Sequence, residues 1–420
     1  MFLPEWTKIE RFLLYVGIIF TGLFVATTLG PLQWIPSPRP WLNDAAEGAV
    51  QWSAQVIFRQ ASNFYSPISS DALGLLIHCF NVLVLALIVG LVLLLRTPKE
   101  QELHQWYYGW RTFLSYYIAF QLLLYGFNKV FKYQFYLPEP NTLYTTVGET
   151  PRDLLFWSLM GTAYGYTVFA GILEVLAALF LLFRKTRLLG ALLAAIVLTH
   201  VVAVNFGFNI SVKTYSLFYL IFTGIILLPH LKRLYAFLIN NEWIPAKNWQ
   251  PTYNKVPFRL AYASLKTVVI GLLLLESLYP YFKVNNFNDD LQTRPAFHGA
   301  YQVESFVRNT ISYPDRAIYP DRWQRAFVHR RGYFIVQYMN GQVQDYQFAY
   351  DQETNVFELI HTQTNTRSIV DYYRLPEGNL RLVGTVDGDA LEVFLRQLDW
   401  QALPLLQEEF HWTIDEVNPQ

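Results

Sequence analysis

The sequence predicts an α-helical polytopic membrane bundle of about seven spans, followed by a C-terminal all-β domain that closes into an eight-stranded antiparallel barrel. Three observations predict it. Of 420 residues, 53 % are hydrophobic and only 15 % charged, whereas soluble chains carry about 25 % charge. Seven apolar runs precede Lys283, each near the roughly 20 residues that cross a bilayer. Beyond Arg294 the apolar residues recur at every second position, the period of strands. A lone Cys79 excludes a disulfide scaffold, a thiol pair and a cysteine metal cluster.

The runs fall at residues 11–29, 72–95, 112–131, 162–183, 188–206, 215–231 and 260–282. The sixth is the shortest. The first is read as a retained helix rather than a cleaved signal, because six more follow and no small-residue cleavage site is clear. Orientation follows from Lys and Arg in the connections. Arg96, Lys99 and Arg111, then Arg184, Lys185 and Arg187, then Lys232, Arg233, Lys247, Lys255 and Arg259 all fall on one side of seven alternating spans. That side is expected to be the cytoplasm, with the N-terminus there and the β domain outside, in a bacterial inner membrane. The segment LQWIPSPRPW, in the outer loop 31–71, suits an interfacial layer.

Zero net charge conceals a division. Up to Lys283 there are 21 Lys+Arg against 13 Asp+Glu; from Val284 onward there are 11 Arg, no Lys and 19 acids. An acidic C-terminal region argues against nucleic acid as a partner. The expected organisation is a two-span extension (1–105), a four-helix core (106–240), a linker with the seventh span (241–283) and the β domain (284–420).

Polar groups inside spans are costly in lipid and mark interior faces. Tyr117, Gln121, Tyr125, Asn128 and Lys132 share one helix face, with Lys129 beside it. Glu174 lies near mid-membrane among Gly171, Ala177 and Ala178, with Gly161 and Gly165 further out; such small residues let helices approach. Counting 1.5 Å per residue, Gln121 and Glu174 share one depth. Tyr125, Thr167 and His200 form a shallower layer, with Asn128, Lys129, Asn205 and Lys213 at the rim. The expectation is an outward-opening pocket whose ligand-binding residues are Glu174, Gln121, Tyr125, His200, Lys129, Asn205 and Lys213. An equally weighted reading makes Glu174 a hydrogen-bonded helix clamp with Gln121 as partner. His200 reads more readily as a satisfied interior histidine, and Lys129 and Lys132 as snorkelling side chains. Glu276, nearer a span end, is expected to be solvated.

The segments YGFNKVFKYQFYLP, LLFWSLMGTAYGYTVFAGILEVLAALFLLFRKTRLLGALL and NFGFNISVKTYS resemble the DoxX-like integral membrane proteins, in particular a larger bacterial group with a C-terminal extracytoplasmic β domain. The resemblance covers about residues 107–238, and more weakly WSAQVIF, ISSDA, GAYQVESF, PDRW and EFHW. It implies a DoxX-like four-helix core and association with membrane redox chemistry, and it matches Lys129, Gln134, Glu174, Asn205 and Lys213. It supplies no defined catalytic set. The thiol relay of some relatives is not expected here, because Cys79 stands alone.

Eight strands are expected at 299–306, 324–329, 333–338, 343–350, 356–362, 367–374, 380–387 and 390–397, separated by Arg331-Gly332, Asn340-Gly341, Glu377-Gly378-Asn379 and Asp387-Gly388. Turn pairs at this spacing signal consecutive hairpins, and closure removes exposed edges. The opening GAYQVESF weakly resembles a lipocalin-like first strand; a sandwich is the alternative. Asp321, Arg322 and Trp323 are candidates to plug the barrel. No HExxH, GxSxG or phosphate loop occurs, and His298, His329, His361 and His411 are dispersed, so no metal site is expected.

The favoured expectation is a redox-associated protein binding a quinone-like lipophile in the pocket; any activity would be that of an accessory subunit of a membrane oxidoreductase. The alternative is a non-enzymatic scaffold or assembly factor whose β domain docks an envelope or oxidoreductase partner. A carrier that takes a lipophile through a hollow barrel is the third reading.

Overall fold

The structure, a computed structural model, describes residues 5–28, 32, 34, 39–96, 98–245, 256–407 and 412–413. Leu29, Lys247, Lys255 and His411, used above, lie outside the described residues, as does most of the EFHW segment. The chain divides into two compact units. One comprises Met1–Gln134 and Gly165–Asn288, the other Phe135–Tyr164 and Asp289–Gln420. The second unit is therefore discontinuous: the loop 135–164, placed with the four-helix core by sequence, groups with the barrel.

The first unit is helical. Among the described residues, six of its helices are long and apolar enough to cross a membrane: α1 (Lys8–Thr28), α3 (Leu73–Leu93), α7 (Tyr164–Leu182), α8 (Arg187–Gly207), the Lys213–Ile239 stretch, and α11 (Val256–Lys283). The chain is a multi-pass membrane protein. The expected third span lies within α4 (Glu100–Val130), at 31 residues the longest helix. It is long enough to span, but its polar stripe and charged first turns dilute its apolar character, and it is not among the six. It supplies Leu114, Ile118, Leu122 and Leu123 to the core shared with α7, α8 and α9 (Lys213–Leu227). A helix packed on several sides can carry polar residues that a lipid-facing one cannot. The sixth expected run breaks at Leu228–His230, where Pro229 cannot continue the helix, and resumes as α10 (Leu231–Ile239).

Sequence reasoning missed α2 (Arg39–Val56), taking this stretch for an irregular interfacial layer. Val50 and Ala54, four residues apart, bury against Ile77 of α3, and Ser53 hydrogen-bonds Asn81 at 2.7 Å. Trp41 and Trp52 stay exposed. One narrow apolar stripe suffices for docking but is too short on hydrophobicity to register as a span.

The β unit forms a sheet in the order β2-β1-β3-β4-β5-β6-β7-β8-β9, closed by pairing β1 (Gly299–Arg308) with β9 (Asp389–Leu398). The closed ring is an eight-stranded antiparallel barrel, and no sandwich forms. The other ring strands are β3 (Trp323–His329), β4 (Tyr333–Tyr338), β5 (Val343–Asp351), β6 (Val356–His361), β7 (Arg367–Arg374) and β8 (Leu380–Val386). The two-residue β2 (Ile311–Ser312) merely folds back on the end of β1. Closure registers Ala300 with Leu398 and Arg308 with Leu391, across a bulge between Val303 and Ser305. Asp387 and Gly388, with φ of 51° and 93°, make the tight β8–β9 turn.

Alternation places Leu391, Val393 and Leu395 of β9 and Val370 and Tyr372 of β7 inside. Phe297, just before β1, meets the rings of Tyr350, Phe357 and Tyr372 from three strands at 5.0–5.3 Å and plugs one end. The other end takes Arg322, 1 % exposed, which donates to the carbonyls of Tyr313, Trp323 and Val303. The interior is filled with side chains, as small barrels commonly are. Outside, Ala300, Phe327 and Ile335 are also buried, with Tyr144 beside them. The short helix α5 (Pro140–Leu143) packs there on β1 and β3, which is why the loop, with α6 (Arg152–Thr162) after it, belongs to this unit.

Candidate functional site

Of the seven expected pocket residues, Tyr125, Lys129 and Glu174 come together. In the helical unit α4 and α7 cross where each carries glycine. A Cβ on Gly126 would stand 2.9 Å from the Gly171 carbonyl, and one on Gly171 would stand 2.7 Å from the Gly126 carbonyl. Three residues further along each helix stand Lys129 and Glu174, on the same faces as the glycines. The close crossing presses them together. Lys129 Nζ donates to Glu174 Oε1 at 2.9 Å and Oε2 at 2.8 Å, with the two residues 7 % and 3 % exposed. The Tyr125 ring lies 5.7 Å from the ammonium.

Three expectations are corrected here. The partner of Glu174 is Lys129, not Gln121; counting depth along straight helices ignores the reach of a lysine arm. Gln121 instead accepts from the Tyr219 hydroxyl at 3.2 Å. Lys129 and Lys132 do not snorkel, for both are buried, Lys132 completely.

The remaining candidates scatter. His200 is exposed on the outer surface of its helix rather than inside the bundle. Lys213 lies 3.5 Å from Asp71, whose carboxylate also accepts the backbone N–H groups of Lys213 and Thr214 and so caps α9. Asn205 is buried, and its amide nitrogen has no hydrogen-bond partner among the described residues. Glu276 is 5 % exposed rather than solvated, accepting the Trp34 backbone N–H at 2.6 Å. Gly161, expected to serve helix packing, instead admits the Tyr136 carbonyl, which would stand 2.2 Å from a Cβ there.

The β unit holds a charged cluster that sequence reasoning missed. Glu139, just ahead of α5, is 5 % exposed. Its carboxylate meets His298 Nε2 at 2.9 Å and accepts the Arg330 backbone N–H at 3.2 Å and the Arg330 Nε–H; His329 stands at 3.9 Å. Arg330 also donates to Asp289, stacks 3.7 Å above the Tyr136 ring, and has Asp289 shared with Arg294. Burial raises the carboxyl pKa of Glu139, but the His298 hydrogen bond and the Arg330, His329 and His298 charges outweigh it, bringing the group down to about 2. Burial pushes the His329 imidazole below its usual range. Glu139 and its partners lie 159 to 191 residues apart, so no local spacing announces them. Among the described residues, no group of three or more His, Cys, Asp or Glu is arranged to hold a metal ion.

No family model matches the chain, and no solved structure matches it. It is similar to the uncharacterized protein YwoB of Bacillus subtilis, 31 % identical over 100 residues, which are 24 % of this chain and 63 % of that protein. The chain thus spans less than two thirds of that relative's length. The DoxX-like resemblance rests on the quoted segments alone.

Proposed function

We propose that this protein is a membrane-anchored docking scaffold: the bundle is a rigid anchor, and the barrel engages an envelope partner through its outer surface. One observation carries this reading. The barrel is lined by buried side chains, with Phe297 at one end and Arg322 at the other, which favours its outer surface over its interior as the working face. With 19 acids against 11 Arg from Val284 onward, that exterior favours a partner with a basic or neutral face. The charges of the helical unit support the same view, since Glu174 and Lys213 are engaged within the protein.

The test is a photo-crosslinker at Ile369, 54 % exposed on β7, activated in intact membranes. A single stoichiometric adduct is expected. Recovery of the uncrosslinked chain alone, from several outward positions, overturns the reading.

A second reading is favoured by the unpartnered amide of Asn205 and the ring of Tyr125 beside the Lys129–Glu174 pair. A quinone-like lipophile would then be held in the bundle beside the Lys129–Glu174 pair, with the DoxX-like resemblance behind it. Solvent extraction of the purified protein distinguishes the two. A lipophile in stoichiometric yield, lost in Glu174→Gln, would favour binding over docking.

A further inference from the structure

A second cluster of charge lies at the opposite end of α4, where α7 and α9 finish and α8 and α11 begin. Arg111 Nη2 donates to the Ile226 carbonyl at 2.8 Å and stands 3.2 Å from His230 Nε2. Its guanidinium lies 5.5 Å from the Tyr107 ring. Arg187 donates through Nη1 to the hydroxyl of the adjacent Thr112 at 3.2 Å and through Nε to the Leu181 carbonyl at 3.4 Å. Two residues beyond Leu181, Phe183 lies under Lys266, whose ammonium is 5.1 Å from the ring. Arg184 and Lys185 follow, both exposed. Half-buried Arg111 and Lys266 are thus both electrostatic neighbours of half-buried Arg187, which stands between them in this cluster.

Among the described residues, none of these cations meets a carboxylate; beyond the contacts named, Arg187 faces the phenols of Tyr108, Tyr116 and Tyr262, and Arg111 that of Tyr108. Capping of helix C-termini accounts for one amino group of Arg111 and for Nε of Arg187. It leaves Lys266 unexplained. It also leaves Arg111 Nε and His230 Nδ1, both buried without a hydrogen-bond partner. Half-buried like charges with idle donors are costly unless an anion completes them.

The geometry points to a binding site for a phosphate group at Arg111, Arg187 and Lys266, carried by a lipid of the adjoining leaflet or free in solution. Guanidinium forks suit phosphate oxygens, and the ammonium adds a point charge. The tyrosine and phenylalanine rings give the site apolar walls suited to a headgroup. This site is independent of the docking role proposed above.

The full-length protein in nanodiscs of phosphatidylglycerol and phosphatidylcholine in equal amounts, examined by native mass spectrometry, tests it. Preferential retention of phosphatidylglycerol is expected. Lys266→Gln should lower that retention about fivefold, the scale of one basic residue at an anionic surface, and Lys266→Arg should restore it. Lys232→Gln, at an exposed lysine outside the cluster, should leave it unchanged. Displacement of the lipid by inorganic phosphate would support the site and assign it to free phosphate. No preference over phosphatidylcholine, or an equal loss in Lys232→Gln, would overturn it.

Discussion

Glu174 and Glu139 are buried almost equally, at 3 % and 5 % exposure, yet the two units satisfy them by opposite means. In the helical unit one lysine arm covers both oxygens, held there by two glycines that let the helices touch. In the β unit the carboxylate collects a histidine, a guanidinium and a backbone N–H from the start of β1 and the β3–β4 turn. Water-soluble folds can assemble such networks from loops. A bilayer interior offers no loops, so packing must bring a counter-charge directly from the next helix. The lesson is that the first arrangement depends on backbone proximity and the second on many partners.

The largest effect should follow from breaking the pair in the bundle. Glu174→Ala leaves a buried ammonium and should cost about 3–5 kcal/mol, whereas Lys129→Met with Glu174→Leu should recover most of that; thermal unfolding in detergent reads both. Equal losses for the single and double variants would mean that the charges themselves are not what matters. Next comes the acid response of the β unit. The Glu139 carboxyl is held down to about 2, so its contribution is full above the unfolded value near 4.5. It is lost as pH falls through about 2. A shift of that size is worth on the order of 3 kcal/mol. Glu139→Gln should remove that contribution at neutral pH and flatten the dependence between pH 5 and 2, as seen by chemical denaturation of the full chain. An unchanged acid profile would deny the network its role.

Gly126→Ala should cost about 1–3 kcal/mol by overpacking, because its Cβ would meet Val175 at 2.8 Å. It should also weaken the ion pair, so its effect and that of Glu174→Ala should fall short of additive when combined. The smallest effect is expected from Asn205→Leu. Removing an unpartnered buried donor should leave stability within about 1 kcal/mol or raise it slightly, a result that calorimetry can resolve. A large loss there would mean that the amide has a partner in the membrane.

The barrel was legible because strand alternation and turn pairs are local signals; seven of the eight expected ring strands end within one residue of the observed ends, and β1 runs two residues further. Glu174 was legible for a different reason, as a charge in an apolar run stands out alone. Its partner was not. The Gly126–Gly171 crossing depends on which helices are neighbours, which no periodicity encodes. Helix α2 failed to register because three small or branched residues carry its docking stripe. The Glu139 cluster was hidden by distance along the chain, and its discovery required closure of the barrel first.

That closure has a consequence for biogenesis. Because Ala300 pairs with Leu398, the ring cannot seal until the chain from β1 through β9 has been synthesised, and such long-range pairing is intrinsically slow. Glu139 emerges more than 150 residues before His298 and Arg330. During the interval its carboxylate lacks the His298 and Arg330 partners that hold it in the finished fold.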